Sequence, residues 1–295
     1  MRESPTRRQA LRRTALVGLA ATAGCLSAGG SGAPTTNGTT DPTATGTATD
    51  TPESTPPASL DDWLADANGY RGEPHRVGVG AQPTVAVGHP TDDGIAFDPP
   101  VIEVAPMTNV TWDWAGHGGQ HNVVALDGTF DSGRTNAQPG TSYHYIFEET
   151  GEYPYVSEPH REEGMKGAVV VREPPSTGNE AVDEWVGQSS NFDGTFADRT
   201  GADTATVTVG APGNGGHFAF DPPALKVSAG TTVVWEWTGD GGAHNVAFQG
   251  LDVASGAVTH EAGATFEHTF DEPGTYLYTC EPHHALGERG AVVVE

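Results

Sequence analysis

The sequence predicts an all-β protein in which two tandem β-sandwich domains follow an extended N-terminal stretch. Three observations support this fold class: one sequence unit is written twice, each copy is rich in short β-branched and aromatic runs, and 295 residues suffice for two domains of ordinary size. A disordered stalk, rich in Thr and Pro, is expected in front of the first copy.

Residues 1–25 have the pattern of an export signal with a lipid attachment site. Arg7 and Arg8 form a twin-arginine pattern, and an apolar run over residues 15–23 follows them. That run is too short for a permanent membrane-spanning helix, which needs about 20 apolar residues. The small residues before Cys25 resemble a lipoprotein cleavage box, with Cys25 as the lipidated N-terminus. The alternative is an ordinary signal in which the cysteine is incidental.

The segment that follows, residues 26–59, consists almost only of Thr, Pro, Gly, Ala, Ser and Asp. Such a composition cannot bury a core, so we predict a disordered linker. If Pro and Thr keep it extended at about 3 Å per residue, it can hold a domain up to roughly 100 Å from its anchor.

The charge balance excludes two classes of partner. The chain has 14 Lys and Arg against 39 Asp and Glu, which gives a formal net charge of -25, and five of its arginines lie in the first thirteen residues. Removal of the export signal would make the chain more acidic still. Such a surface repels nucleic acid and anionic lipid headgroups, so neither is expected as a direct partner.

The two copies of the repeat cover residues 60–172 and 182–295, and residues 173–181 form a short linker between them. From residue 97 onwards the copies align at an offset of 123 residues once a single inserted residue near Asn214 is allowed for. The aligned segments include a Trp-x-Trp motif, a His-Asn-Val motif and a closing Gly-Ala-Val-Val-Val motif. The copies are therefore predicted to be homologous domains.

Within each copy, clusters of Gly, Pro and Asp separate short runs of β-branched and aromatic residues. In the second copy these runs predict strands over residues 204–209, 224–228, 231–237, 265–270 and 274–278. Strands this short and closely spaced favour a sandwich or a barrel. The Trp-x-Trp motif is expected in the core. The Trp-containing segments that open the copies, residues 60–67 and 182–188, are predicted to form short capping helices.

A metal-ligand pattern lies near the end of the chain. Cys280 is followed by His283 three residues later and by Glu288 eight residues later, and His244 stands 36 residues before the cysteine. One thiolate and two imidazoles with a weak axial fourth ligand define a blue-copper electron-transfer site, because thiolate and imidazole together suit both oxidation states of copper. We therefore expect the second copy to bind copper.

These motifs, on a β-rich repeat, resemble the halocyanins, small blue copper proteins of the cupredoxin family. The resemblance covers both copies, and it implies two tandem cupredoxin-like Greek-key β-sandwiches. It also implies a copper ion bound by one strand histidine and by Cys, His and Met of one loop, and single-electron transfer to transient redox partners. In the family the asparagine beside the first histidine, here Asn245, stabilises the cysteine loop. The acidic, lysine-poor surface is similar to those of salt-adapted archaeal proteins.

The resemblance assigns different ligand sets to the two copies. The second copy has the three equatorial ligands and a glutamate in place of the axial methionine: His244, Cys280, His283 and Glu288. The first copy has both histidines and the methionine, but a serine in place of the cysteine: His121, His160, Met165 and Ser157. Since Cys25 and Cys280 are the only cysteines of the chain, no other thiolate can serve the first copy.

The two losses have unequal consequences. A serine hydroxyl does not ionise near neutral pH and is a poor soft ligand, so the first copy is expected to lack blue-copper chemistry. Its remaining ligands either hold copper weakly or are vestiges in a structural domain. Glu288 either coordinates as the axial ligand, which would favour Cu(II) and admit zinc, or points to solvent.

The expected function is that of a monomeric electron carrier with copper in the second copy, held by a lipid anchor on the extracytoplasmic face of the cell membrane. Two alternatives remain: a copper- or zinc-binding protein without electron transfer, and a non-redox interaction module. An enzyme is not expected. The catalytic centres of two-domain copper oxidases and nitrite reductases need His-Cys-His runs and His-x-His pairs, which the chain lacks.

Overall fold

The computed structural model describes residues 59–295. The predicted export signal, the lipidation candidate Cys25 and all of the predicted linker except Ser59 lie outside the described residues. Between residues 59 and 295, no helix has the length and apolarity that crossing a lipid bilayer requires.

The first domain begins with a short helix, α1 (Leu60–Leu64), and continues as nine strands. The strands are β1 (His75–Arg76), β2 (Thr84–Thr91), β3 (Gly94–Asp98), β4 (Val101–Val104), β5 (Thr108–Trp114), β6 (Val124–Ala125), β7 (Ser142–Phe147), β8 (Gly151–Val156) and β9 (Lys166–Val171). A 3₁₀ turn, Glu158–His160, lies between β8 and β9.

The second domain has the same series of elements, beginning with helix α2 (Glu180–Val186). Its strands are β10 (Ala197–Asp198), β11 (Thr204–Gly213), β12 (Gly216–Asp221), β13 (Ala224–Val227), β14 (Thr231–Trp237), β15 (Ala247–Phe248), β16 (Thr265–Phe270), β17 (Gly274–Thr279) and β18 (Arg289–Val294). A 3₁₀ turn, His284–Leu286, precedes β18. All five strands predicted for this domain are present.

The two domains share one sheet topology. In the second domain one sheet has the strand order β10-β13-β18-β17-β15 and the other β12-β11-β14-β16, and the first domain repeats both orders with its corresponding strands. Strands β11 and β14 pair in parallel, as do β13 and β18, whereas β14/β16 and β17/β18 are antiparallel. The chain thus crosses between the two sheets of each domain, as in a Greek-key sandwich. The predicted fold class is confirmed.

Apolar side chains from both sheets form the core of each domain. In the second domain, the core contains Val207 and Trp235 from one sheet and Tyr278 and Val292 from the other. Buried and more exposed positions alternate along β14, as expected for a strand that turns one face to the core. Trp235 is fully buried, so its replacement by alanine is expected to cost on the order of 3–5 kcal/mol of stability.

Both predicted capping helices are present, and both end earlier than the sequence predicts. Helix α2 starts where the side chain of Asn179 accepts a hydrogen bond from Val182 N at 3.3 Å. The helix is held on the sandwich by Trp185, whose Nε1 donates to the Tyr278 carbonyl at 3.0 Å. That contact lies two residues before Cys280, so the helix supports the strand that leads into the candidate ligand loop.

Two connections between strands carry the candidate ligands of the second domain. The link between β14 and β15 carries His244, and the loop between β17 and β18 carries Cys280, His283 and Glu288. Reciprocal backbone hydrogen bonds of 2.9 Å between His244 and Thr259 fix the first of these connections. The ligand loop is fixed by its two flanking strands, which pair along their length.

Candidate metal centre

The structure brings all four predicted ligands of the second domain together. One ligand atom each from His244, Cys280, His283 and Glu288 lies within 4.8 Å of the others. The Nδ1 atoms of the two histidines are 3.1 Å apart, and Sγ of Cys280 lies 3.8 Å and 3.4 Å from them. Over residues 59–295, this is the one cluster of three or more His, Cys, Asp and Glu side chains close enough to share a metal ion.

The loop from Cys280 to Glu288 closes on itself through backbone hydrogen bonds. Cys280 N donates to the Glu288 carbonyl at 3.1 Å, and Glu288 N donates to the His283 carbonyl at 3.3 Å. Gly287 makes the return possible, because its φ of 98° lies in the left-handed region that favours glycine. The loop therefore directs three side chains to one point.

A side-chain clamp joins this loop to the connection that carries His244. The Asn245 amide donates to a carboxylate oxygen of Glu281 at 2.6 Å and accepts from Glu281 N at 2.9 Å. The loop-stabilising role implied for Asn245 thus has a specific partner that the sequence interpretation missed. The signal was present, because Asn122 and Glu158 of the first copy have the same separation of 36 residues.

Hydrogen bonds to its ring and its backbone orient His244. Its Nε2 lies 2.9 Å from the Asp240 carbonyl oxygen, which can only accept, so Nε2 carries the proton. In the neutral ring, Nδ1 then directs a lone pair into the cluster. Trp237 Nε1 donates to the His244 carbonyl at 3.2 Å and fixes the backbone. An outer partner that orients the imidazole in this way is characteristic of metal-binding histidines.

Glu288 is fully buried, and its carboxylate faces both histidines. Its two oxygens lie 2.9 and 2.8 Å from Nδ1 of His244, and one of them lies 2.9 Å from Nδ1 of His283. The alternative in which Glu288 points to solvent is therefore wrong. Because an unpaired buried carboxylate is costly, this group requires a cation or a proton within the cluster.

The surroundings shift the pKa values of two cluster members. Burial, followed by the charge of Glu288, raises the pKa of the Cys280 thiol to about 12. Burial lowers the pKa of His244, but the hydrogen bond and the charge of Glu288, with the Asp240 carbonyl, raise it by more, so the net shift is upward. A metal ion needs the thiolate and the neutral imidazole, so its binding releases any protons that these groups hold.

The donor set fits a copper ion. In their ligating states, the four side chains direct an anionic sulfur, an anionic oxygen and two nitrogen lone pairs at one point, which a cation stabilises. Two nitrogens 3.1 Å apart can both reach a metal at about 2 Å. One thiolate and two imidazoles form the equatorial set of blue-copper sites. Zinc accepts the same residue types, so the set does not distinguish the two metals by composition alone.

The first domain repeats the hydrogen bonds that hold the ligand positions of this site, and we call this set of bonds the frame. Ser157 N donates to the Met165 carbonyl at 3.2 Å, and Met165 N donates to the His160 carbonyl at 3.1 Å, as the equivalent groups do in the second domain. The side-chain clamp recurs between Asn122 and Glu158. Trp114 Nε1 donates to the His121 carbonyl, and Nε2 of His121 donates to the His117 carbonyl, as their counterparts do in the second domain. The ring centroids of the two histidines are 4.6 Å apart, against 4.5 Å in the second domain.

The donor atoms in this first frame are different. Ser157 and Met165 are fully buried where the second domain has Cys280 and Glu288. The Ser157 hydroxyl lies 3.5 Å from Nδ1 of His121, and Nδ1 of His160 is buried without a hydrogen-bond partner. The first domain therefore has two imidazoles and a thioether but no anionic donor among its four aligned positions.

A buried arginine beside the second site also escaped the sequence interpretation. Arg289 is 8% exposed, and its guanidinium lies 4.2 Å from the centre of the Trp185 ring. Its Nη2 lies 3.2 Å from Nε2 of His284, whose Nδ1 faces the hydroxyl of Thr279. Of the adjacent histidines, only His283 therefore points into the metal cluster.

Comparison with protein families agrees with this geometry. The family described as copper binding proteins, plastocyanin/azurin family, matches residues 83–172 and again residues 205–295, together more than half of the chain. Each matched segment contains one complete frame. The expectation of copper as the cofactor is confirmed.

Individual relatives match about one domain. A halocyanin from Natronomonas pharaonis is 53% identical over 107 residues, 35% of this chain and 64% of the relative, so the chain spans just under two thirds of that protein. A plastocyanin from Scenedesmus fuscus is 36% identical over 98 residues, 30% of this chain and 99% of the relative. The solved structure of oxidized plastocyanin from Dryopteris crassirhizoma matches 31% of this chain and 100% of its own, with 29% identity and a TM-score of 0.26. The family match and the two sequence relatives confirm the resemblance to halocyanins, and the chain belongs to the plastocyanin/azurin family of copper-binding proteins, whose domain it contains twice.

Proposed function

We propose that this protein is an electron carrier whose redox copper is bound in the second domain by His244, Cys280 and His283, with Glu288 as the fourth ligand. The observation that carries the proposal is the convergence of these four side chains within 4.8 Å in a chain of a copper-binding family. Bound copper supplies the one-electron couple. The protein holds the ion, keeps water away from it and sets its preference between oxidation states.

A rigid ligand set is the main contribution of the chain. The Asn245 clamp and the backbone hydrogen bonds of the ligand loop fix the side chains from both connections, so a change of oxidation state requires little rearrangement. His244, Cys280 and Glu288 are at most 1% exposed, which excludes solvent from three of the four donors. The anionic oxygen of Glu288 favours Cu(II), so we expect a lower reduction potential than an axial thioether would give.

Electrons leave through His283 in this proposal. Its side chain is 15% exposed, whereas the other three ligands are buried. The Phe218 ring centroid lies 4.7 Å from that of His283, and Leu286 on the same loop is 48% exposed. A small apolar surface around an exposed ligand suits the weak docking of a transient redox partner. The first domain has charged residues, 161–163, in the corresponding part of its loop.

Location at the membrane belongs to the same proposal. Twin-arginine export and lipidation of Cys25 would hold a monomeric carrier at the outer face of the cell membrane, on the linker of residues 26–59. Cell fractionation of wild type and Cys25→Ala tests this part. The wild-type chain is expected with the membranes and the variant in the medium. Equal retention of both in the membrane fraction contradicts the lipid anchor.

Absorption spectroscopy and voltammetry of the copper-loaded full chain test the electron-transfer proposal. We expect an intense thiolate-to-copper absorption together with a reversible one-electron wave. His160→Ala changes the equivalent histidine of the first domain and should keep both signals. A chain that binds copper without the absorption, or that shows the absorption but cannot be reduced and reoxidised, contradicts the proposal.

Metal binding without electron transfer is the second candidate, and one observation favours it. The buried Glu288 carboxylate lies within 2.9 Å of both histidines, so the cluster offers zinc a four-donor set of Cys, His and carboxylate. Competition between zinc and copper for the full chain separates the candidates. Retention of zinc in the presence of equimolar copper would favour metal buffering.

A further inference from the structure

The first domain contains two imidazole nitrogens whose lone pairs have no adequate partner. Nδ1 of His160 is buried and accepts no hydrogen bond. Nε2 of His121 donates to the His117 carbonyl at 2.7 Å, so Nδ1 of the neutral ring directs its lone pair inward. There it meets only the Ser157 hydroxyl at 3.5 Å, which is longer than an ordinary hydrogen bond. Unpartnered buried acceptors are rare in folded proteins, and a bound ion is one of their explanations.

The backbone holds a third candidate donor, Met165, at the loop position that Glu288 occupies in the second domain. Met165 N donates to the His160 carbonyl, and the Met165 carbonyl accepts from Ser157 N, as the equivalent bonds place Glu288 in the second domain. The Met165 side chain is fully buried, and it begins at the backbone position from which the Glu288 carboxylate reaches both histidines in the second domain.

The absence of an anionic donor in the first domain determines which metal ions it favours. Its donors are two neutral imidazoles, a neutral thioether and a neutral hydroxyl, whereas the second frame has a thiol and a carboxylate. The carboxylate of Glu158, the residue after Ser157, accepts a hydrogen bond from the Asn122 amide at 2.6 Å. Neutral nitrogen and soft thioether donors favour a monovalent, soft ion over Cu(II) or Zn²⁺.

We propose that the first domain binds a second copper ion as Cu(I), through Nδ1 of His121, Nδ1 of His160 and the thioether of Met165. This site has no thiolate, so it adds no intense absorption and its copper stays reduced while the second domain carries electrons. The full chain thus binds two copper ions in chemically distinct sites. The proposal concerns the first domain alone and stands whether or not the second domain transfers electrons.

Titration of the full chain with Cu(I) under anaerobic conditions, against a chromogenic Cu(I) chelator, counts the sites. Wild type is expected to withdraw two equivalents from the chelator, and His160→Ala only one. Met165→Leu, which preserves the apolar volume, should hold the second equivalent more weakly. His144→Ala removes an exposed histidine of β7 outside the cluster and should leave the count at two.

The absorption that copper gives with Cys280 serves as the folding and loading control for each variant. If wild type withdraws one equivalent, the first domain has no Cu(I) site. If His160→Ala still withdraws two, the second equivalent is bound elsewhere and the assignment is wrong. If His160→Ala also loses the Cys280 absorption, Met165→Leu decides: unchanged affinity for the second equivalent overturns the proposal.

Discussion

The two domains differ in their metal donors and agree in nearly everything that holds those donors in place. Both have the same strand order, the same Asn-Glu clamp and the same histidine-to-carbonyl bond. Within that shared frame, Ser157 stands opposite Cys280, and Met165 opposite Glu288. The frame therefore does not depend on the identity of the donors. We therefore expect single substitutions at these donor positions to change the metal chemistry without changing the fold.

The largest effect is expected on the copper absorption, when Cys280, the one cysteine within residues 59–295, is replaced. Cys280→Ser gives the second domain the donor that the first already has, and the intense thiolate-to-copper absorption should vanish completely. Absorption spectra of the copper-loaded full chain measure this. An intense band that survives in the variant would show that another group is its source.

The reverse substitution, Ser157→Cys in the first domain, is expected to add a thiolate-to-copper absorption there. Ser157→Cys adds the missing thiolate to a frame that already supplies His121, His160 and Met165. With two equivalents of copper, the absorption per chain should roughly double, and the axial methionine should give the new site its own, higher reduction potential. Unchanged absorption after full loading would show that the first frame is not equivalent to the second.

Much of the fold and of the ligand positions in the two domains could be predicted from the sequence, because the repeat aligns the copies and the strand patterns are strong. The predicted strands and the buried Trp-x-Trp motifs follow from local periodicity. The clustering of His244 with Cys280 and His283 follows from the ligand pattern of blue-copper sites, which joins residues distant in the chain.

The placement of Glu288 could not be read in the same way. A glutamate is normally exposed, and only the return of the loop at Gly287 brings this one under the histidines. The contact between Arg289 and Trp185 depends on how helix α2 docks on the sandwich. Residues that meet across separate elements in this way leave no periodic signal in a single sequence.

A smaller effect, on copper affinity, is expected when the clamp between Asn245 and Glu281 is removed. Asn245→Ala removes both hydrogen bonds to Glu281 and loosens the ligand loop, so copper affinity of the second site should fall about 10–100-fold, as for other outer partners of metal ligands. Competition with a chelator measures it. Asn122→Ala breaks the equivalent clamp of the first domain and is the matched control. An equal loss of affinity at the second site in both variants would show a general loss of stability.

The smallest effect is expected on the reduction potential, when the fourth ligand, Glu288, is replaced. Glu288→Met gives the second domain the thioether of the first, and Cu(I) should gain relative to Cu(II) by on the order of tenfold, an upward shift in reduction potential of about 59 mV. Glu288→Gln keeps the shape and removes the charge, so it should shift the potential in the same direction. Identical potentials for wild type and both variants would show that Glu288 is not a ligand.

X-ray absorption at the copper edge, on the full chain with one equivalent of copper, tests the assignment of the second domain most directly. Coordination by His244, Cys280, His283 and Glu288 predicts two nitrogens, one short sulfur bond and one oxygen, with the sulfur lost in Cys280→Ser and the oxygen lost in Glu288→Met. A wild-type spectrum without the short sulfur bond would contradict the assignment of the redox copper to this site.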